Sequence, residues 1–192
     1  MVVSAVEVGM VTAGKRKAFI ALVGGAVLAL TGCESAPEGE AAESTPAMAP
    51  DAPTSYDPCT DIPQGVLDSE NLRNKNDDDF SGGGVKWEGC GWVQPDGYAV
   101  GIQTTNLTLQ MVRDKGYPGT VEFTISGRKA ITSQRQETHT DASCNLNVEI
   151  NGGSVEFGLS NPPSNRNTGH LDTCALARGL AEKVVPTIPA GV

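Results

Sequence analysis

Residues 143–159, SCNLNVEINGGSVEFGL, consist of two alternating segments that flank an Asn-Gly-Gly turn. In the first segment Cys144, Leu146, Val148 and Ile150 alternate with polar residues, and the second segment repeats the pattern on its way back. Because successive side chains of a strand point to opposite faces of a sheet, this stretch predicts an antiparallel hairpin with one buried face. No other stretch of the chain indicates its secondary structure so clearly.

Two further hairpins are predicted upstream, and each consists of two alternating segments around a glycine-containing turn. They are residues 85–93 with 98–104, and residues 120–126 with 129–134. Together with residues 143–159 they give about six strands, all joined by short connections. Short connections between neighbouring strands indicate an antiparallel sheet.

Helices are predicted at both ends of this series of strands. Residues 62–72 place apolar side chains on one helical stripe, with Asp61 as the cap, and a second long helix starts at Asp172 or Thr173 and ends before Pro186. A minor helix follows Asn106 or Thr108, whereas the polar residues 73–84 are interpreted as a surface loop. The expected fold class is α+β: a single antiparallel sheet of about six strands, packed in two layers against an N-terminal and a C-terminal helix.

The N-terminal region has the features of a lipoprotein signal peptide. Three basic residues at 15–17 precede an uncharged apolar run at residues 18–32, and Leu30-Thr31-Gly32-Cys33 closes that run. The run is shorter than the roughly 20 residues that a membrane span needs. We therefore expect cleavage after residue 32, with a diacylglyceryl group and an N-acyl chain such as palmitate on Cys33. Met1 and Met10 both remain candidate start residues.

Three segments follow from this interpretation: a signal peptide at 1–32, a lipidated tether at 33–55 and an extracytoplasmic α+β domain at 56–192. The tether is rich in Ala, Pro, Ser, Thr and Glu and has few large apolar residues, so it is predicted to be disordered. Its Ser and Thr residues are candidates for O-linked sugars. The expected location is the cell membrane, with the domain anchored by lipid on the extracytoplasmic face.

The charge of the chain argues against nucleic acid as a partner. The formal net charge is −9, and residues 1–32 carry three basic residues against one acidic residue, so the processed chain carries about −11. An acidic surface repels phosphate backbones and anionic headgroups. Attachment to a membrane must therefore come from the lipid and not from a basic patch.

The chain has five cysteines, and lipidation of Cys33 would leave an even set of four. Four cysteines allow three pairings. We favour Cys59–Cys90 and Cys144–Cys174, since each pair joins the start of a helix to a strand near it in the sequence. The spacings contain no C-x-x-C motif, and a zinc site or a redox pair is not expected.

Several motifs, in this order, resemble those of a family of actinobacterial cell-envelope lipoproteins of the mycobacterial and nocardial type. They are the Leu-Thr-Gly-Cys box and its tether, Asp57-Pro58-Cys59, Gly89-Cys90-Gly91-Trp92, Ile125 to Ala130, Cys144 in its alternating strand, and Asp172-Thr173-Cys174. The similarity covers about residues 56–186 besides the anchor. The resemblance implies export, lipidation and a domain of unknown function with paired cysteines, and it brings no catalytic residues.

The acidic run and the two histidines of the chain support no catalytic, metal or cofactor site. Asp77-Asp78-Asp79 lies in a polar segment, but its neighbours do not fit a calcium-binding loop, and His139 and His170 lack the neighbours of a catalytic triad. Trp87 and Trp92 differ by an odd number, so they should point to opposite faces of one strand. One of them belongs in the core, and the exposed one is the best candidate for contact with a ligand.

The sequence therefore predicts a non-catalytic binding or interaction module of the cell envelope, which contacts an envelope protein or a small apolar ligand. Two alternatives stay open. One is an envelope hydrolase that uses His139 or His170, and the other is a structural protein needed for envelope integrity.

Overall fold

The computed structural model describes residues 48–135 and 140–192. Cys33, the predicted signal peptide, most of the predicted tether and His139 lie outside these residues. Among the helices of the described chain, none is long and apolar enough to cross a membrane.

The fold is an open sheet of eight strands in which every pairing is antiparallel. The strands are β1 (Arg73–Asp77), β2 (Phe80–Gly82), β3 (Val85–Val93), β4 (Ala99–Thr105), β5 (Val121–Ile125), β6 (Arg128–Ser133), β7 (Ser143–Ile150) and β8 (Gly153–Ser160). Their order is β1-β3-β4-β8-β7-β6-β5, and β2 also pairs with β3. The β7–β8 hairpin therefore lies in the middle of the sheet, as its strict alternation indicates.

The α-helices of the described chain are α1 (Pro58–Asp61), α2 (Gln64–Ser69), α3 (Leu109–Asp114) and α4 (Thr173–Val184). Side-chain caps determine where three of them begin. Asp57 accepts a hydrogen bond from the backbone N–H of Cys59 at 2.9 Å, Thr108 from that of Met111 at 3.2 Å, and Asp172 from that of Ala175 at 2.6 Å. Short 3₁₀ turns occupy Thr140–Ala142 and Val185–Thr187.

The main core lies between one face of the sheet and helices α1, α2 and α4. Register brings four fully buried residues side by side across the central strands: Cys90, Ile102, Phe157 and Leu146. Helix α4 covers them with an apolar stripe at helical spacing: Ala177, Leu180, Ala181 and Val184. The predicted α+β class is confirmed.

Two disulfide bonds connect the helices to this core. Cys59 at the start of α1 bonds Cys90 on β3, and Cys144 on β7 bonds Cys174 in the first turn of α4. The Cα–Cα distance is 5.2 Å in both, within the usual range for disulfides. These are the two pairs that the sequence favours.

The prediction of six strands was wrong, because residues 73–84 form β1 and β2 instead of a loop. Both pair with β3 at the edge of the sheet, and every residue in them is exposed. A strand that buries neither face has no reason to alternate, so its sequence resembles that of a loop.

The helix predicted at residues 62–72, with Asp61 as its cap, was wrong in its bounds: Asp61 is the last residue of α1, and α2 begins at Gln64 and ends at Ser69. Pro63 separates them with an extended backbone, φ −59° and ψ 136°, and it has no N–H to continue a helical hydrogen-bond series. Ile62 and Leu67 are nevertheless buried in the main core, as their stripe predicts.

The second face of the sheet carries its own small apolar cluster, which the two-layer prediction did not include. Helix α3 covers Ile131 on β6 with Leu109 and Val112, and Leu107 completes the cluster. Trp87 packs at its margin. Part of this face is therefore covered by α3 and is not exposed to solvent.

Contacts of the folded domain begin before Tyr56, inside the predicted tether. Ala52 is 4% exposed, the backbone carbonyl of Ala49 accepts a hydrogen bond from Asn106 at 2.7 Å, and Asp51 forms an ion pair with Lys86.

Candidate functional site

A pocket of about 330 Å³ opens on the second face of the sheet, beside the apolar cluster under α3. This volume is at the lower end of the range for small-molecule sites, about 300–1,000 Å³. We call it the open-face pocket. Its lining residues are Asp78, Phe80, Trp87, Gly101, Gln103, Arg135, Asn145, Glu156 and Gly158.

Strand alternation explains why these residues meet. The apolar residues of β4, β7 and β8 face α4, so the residues between them face the other side of the sheet. There, two rows of paired residues cross the three strands: Gln103, Glu156 and Asn147 in one row, and Gly101, Gly158 and Asn145 in the next.

Glu156 is the charged centre of the pocket. It is 4% exposed, and its two carboxylate oxygens accept hydrogen bonds from Arg135 at 2.9 Å (Nη1 to Oε1) and 2.7 Å (Nη2 to Oε2). This two-bond geometry is the strongest form of an arginine–carboxylate pair. Arg135 lies just after β6, so the pair joins the end of β6 to β8 across β7.

Three neutral groups also donate to the Glu156 carboxylate. Asn145 and Asn147 donate at 2.9 Å each, and the indole N–H of Trp87 donates at 3.2 Å. A carboxylate has about four lone-pair sites, and five N–H groups converge on this one. Glu156 is thus engaged on both oxygens, which compensates the cost of burying its charge.

A chain of hydrogen bonds continues from this centre towards α3. Asn147 donates to the hydroxyl of Ser154 at 3.0 Å, and Ser154 donates to the backbone carbonyl of Leu107 at 2.6 Å. Asn147 and Ser154 are fully buried. The polar groups below the pocket are therefore held in place by the sheet and by the segment that leads into α3.

One wall of the pocket is aromatic. Phe80 on β2 is directly opposite Trp87 on β3, with ring centroids 5.4 Å apart and planes inclined by 42°. Phe80 is 64% exposed, more than any other large apolar side chain in the described chain. An exposed aromatic ring at the mouth of a polar pocket is a typical surface for ligand contact.

The floor of the pocket is formed by two facing glycines, Gly101 and Gly158. A Cβ atom on Gly101 would collide with Oδ2 of Asp78, and it would lie 3.7 Å from Oε1 of Gln103. A Cβ atom on Gly158 would lie 3.4 Å from Nδ2 of Asn145, an ordinary contact. The Asp78 carboxylate therefore covers Gly101, and the part of the floor that stays open is the backbone at Gly158, beside Nδ2 of Asn145.

The structure places the two tryptophans on opposite faces, as their odd spacing predicts. Trp92 is 3% exposed in the main core, whereas Trp87 contacts Glu156 and lines the open-face pocket. Whether either tryptophan contacts a ligand stays a prediction.

Sequence reasoning did not identify Glu156, Arg135, Asn145 or Phe80 as site residues. A usable signal was present in β8, where Glu156 and Gly158 occupy the non-core positions of a strand whose alternation is otherwise clear. Such positions are usually interpreted as solvated, and only the register with β7 and β4 shows that Glu156 is buried.

Of the other residues singled out in the sequence that the structure describes, only Asp78 lines the pocket. Asp79 accepts a hydrogen bond from the backbone N–H of Gly89 at 2.9 Å, and His170 is exposed in the loop before α4. Across residues 48–135 and 140–192, no group of three or more His, Cys, Asp or Glu side chains is arranged to hold a metal ion.

A family model described as "Protein of unknown function (DUF3558)" matches residues 28–187, which include every residue of the open-face pocket and all four disulfide-bonded cysteines. No curated protein and no solved structure gives a significant match to the chain.

Proposed function

Since the chain belongs to the DUF3558 family of proteins of unknown function, we propose that it is a non-catalytic binding protein whose ligand occupies the open-face pocket. We further propose that lipid on Cys33 holds it on the outer face of a membrane. The observation that carries the binding role is the buried Glu156 carboxylate, which Arg135 holds in place beside an exposed aromatic wall.

The pocket is organised before any ligand arrives. Five hydrogen bonds orient Arg135, Trp87, Asn145 and Asn147 around Glu156, so binding would not require these side chains to become ordered. A site whose polar groups are fixed in advance loses less conformational entropy when its ligand binds.

The same hydrogen bonds argue for binding and against catalysis. A general base needs a lone pair within hydrogen-bond reach of the substrate proton. Both oxygens of Glu156 are engaged by N–H groups of the protein. Glu156 is therefore suited to position its neighbours and not to accept a proton.

Two observations support the anchor. The family match begins at residue 28, so Leu30-Thr31-Gly32-Cys33 lies inside the matched range and not in an unrelated leader. The residues between Cys33 and Met48 have the composition of a tether, long enough to separate the domain from a lipid surface. Two or three acyl chains give stable attachment.

The binding role is tested by native mass spectrometry of the protein released from its own envelope. We expect wild-type protein to carry an additional mass that Phe80→Ala loses. Val121→Ala is the matched control, because Val121 is also an exposed apolar residue (51%) but lies on β5 at the other edge of the sheet. A ligand-free wild type, or equal loss in both variants, would contradict the proposal.

The anchor is tested by Cys33→Ser, with Ser35→Ala as control. Without the sulfur to which a diacylglyceryl group attaches, we expect Cys33→Ser to accumulate as precursor or to leave the detergent phase, while Ser35→Ala behaves as wild type. Mature-sized Cys33→Ser protein that still partitions into detergent would rule out lipid at Cys33.

A further inference from the structure

We infer that the ligand of the open-face pocket is a neutral carbohydrate, one ring of which sits over Gly158 against Phe80. This inference rests on the proposed binding role and names the class of ligand. It is carried by three features of the pocket: its aromatic wall, its mixture of hydrogen-bond donors and acceptors, and its charge.

The aromatic wall suits the apolar face of a sugar ring. The C–H groups of a pyranose carry small positive partial charges, and the face of an aromatic ring is negative. Phe80 is exposed to solvent, and Trp87 packs against it with ring centroids 5.4 Å apart. The indole of Trp87 is in turn held by its hydrogen bond to Glu156.

The polar atoms around the floor match hydroxyl groups. A hydroxyl donates one hydrogen bond and accepts others, so it binds best where a donor and an acceptor are adjacent. Oδ2 of Asp78 and Oε1 of Gln103 are acceptors above Gly101, and Nδ2 of Asn145 is a donor beside Gly158. The amide nitrogen of Asn145 carries two hydrogens, of which one is given to Glu156.

Gln103 is fixed in the orientation that this role requires. Its Nε2 donates to the backbone carbonyl of Asp78, so its Oε1 is the atom left to face the floor. The absence of a Cβ atom on Gly158 lets a flat ring approach the sheet closely, whereas the space above Gly101 holds the Asp78 carboxylate.

The charge of the pocket favours a neutral ligand over an anion. Arg135 and Glu156 neutralise each other through two hydrogen bonds, which leaves Asp78 as the unbalanced charge among the lining residues. The chain as a whole is also acidic, at −9. A phosphate or a carboxylate would be repelled, whereas a hydroxyl-rich ring would not.

The test is a titration of the full-length, lipidated protein with four neutral trisaccharides, built of glucose, mannose, galactose or arabinose. Intrinsic tryptophan fluorescence reports binding, because Trp87 lines the pocket and Trp92 is buried in the main core. The detergent must carry no sugar headgroup. The uronic-acid counterpart of the best trisaccharide serves as the anionic comparison.

We expect at least one neutral trisaccharide to bind, and its acidic counterpart to bind at least about tenfold more weakly. Phe80→Ala and Gly158→Ala should each weaken binding about tenfold, the first by removing the wall and the second by filling the floor. Val121→Ala and Gly179→Ala are the matched controls, since both residues lie outside the pocket, and they should leave binding unchanged.

Loss of folding does not explain the expected loss of binding in Gly158→Ala. Gly158 has no positive φ, and its added methyl group meets nothing closer than 3.4 Å, so Gly158→Ala should unfold at the same or a higher urea concentration than wild type. A loss of binding in a variant of unchanged or higher stability identifies the pocket as the binding site.

The inference is overturned if none of the four trisaccharides binds, if the acidic sugar binds as well as the neutral one, or if Phe80→Ala and Gly158→Ala bind normally. These results are distinct from a failure of the proposed function. Native mass spectrometry that finds a lipid or peptide mass, lost in Phe80→Ala, would keep the binding role and reject the carbohydrate.

Discussion

At the scale of single residues, the pair Glu156–Arg135 shows how a buried charge is tolerated in this sheet. The side chain of Glu156 is 5% exposed and that of Arg135 is 21% exposed. Removing either side chain leaves the charge of the other without its ion pair. The two charges differ in how easily water can take the place of the lost partner. Arg135 is closer to solvent, so its guanidinium can regain water more easily than the Glu156 carboxylate.

This difference predicts an asymmetry between two variants. Arg135→Ala should lower the free energy of unfolding by about 3 kcal/mol, because it leaves a buried carboxylate with only neutral donors. Glu156→Gln should lower it by about 1–2 kcal/mol, because Arg135 turns towards water and the one amide oxygen stays as an acceptor for the remaining N–H groups. Urea unfolding of both variants at pH 7 measures the two values. A larger loss of stability in Glu156→Gln than in Arg135→Ala would contradict the expectation that Arg135 regains water more easily than Glu156.

At the scale of elements, much of the sheet could be predicted because burial of one face imposes alternation on the sequence. Strands β3 to β8 each place apolar residues on the α4 side, and all three hairpins were predicted at nearly their observed positions. Strands β1 and β2 have no buried face, so their residues show no alternation to detect. They form because the edge of β3 has unpaired backbone N–H and C=O groups with which they pair. The periodicity of the sequence carries no information about such an edge.

The site could be predicted only in part, for a related reason. Trp87 was identified by its odd spacing from Trp92, which is a local property of one strand. The contacts of Glu156 depend on the register of β8 with β7 and on Arg135, which follows β6 in a segment that reads as a polar loop. Register across several strands is a tertiary property, so the pocket could not be derived from the sequence alone.

Tyr98 links three elements and makes stability sensitive to alkaline pH. It lies just before β4, is 2% exposed, and its hydroxyl donates to Glu70 after α2 at 3.0 Å, while Glu70 also pairs with Lys183 on α4. Burial, and then the charge of Glu70, raise the pKa of Tyr98 well above its usual value near 10. The folded state therefore keeps this proton where the unfolded chain releases it.

The sign of the pH effect follows from this difference in proton binding. The stabilising contribution is complete below about pH 10 and is lost as the pH rises above the pKa of the unfolded chain. We expect the free energy of unfolding to fall as the pH rises above about 10, and Tyr98→Phe to show a shallower fall. Tyr117→Phe is the control, because Tyr117 is only half-buried. Equal slopes for wild type and Tyr98→Phe would show that another group causes the alkaline loss.

At the scale of the whole molecule, the two disulfides join both helical ends of the chain to the sheet. Cys59–Cys90 connects α1 to β3, and Cys144–Cys174 connects β7 to α4, with sequence separations of 31 and 30 residues. In the chain-entropy model, loops of this length stabilise the folded state by about 3–4 kcal/mol each. Small domains have a total stability of about 5–15 kcal/mol. The two bonds together are therefore comparable to the whole stability of the domain.

This comparison predicts that the domain folds stably only where thiols are oxidised, as it would on the outer face of a membrane. A variant that replaces either pair by alanines should retain the fold, with its free energy of unfolding lowered by about 3–4 kcal/mol. Replacing both pairs should leave the domain largely unfolded at 37 °C. Urea unfolding and circular dichroism of the three variants measure this, with the Cys33→Ser single variant as the control for removing a cysteine outside both bonds. A four-alanine variant as stable as wild type would show that the core between the sheet and α4 suffices alone.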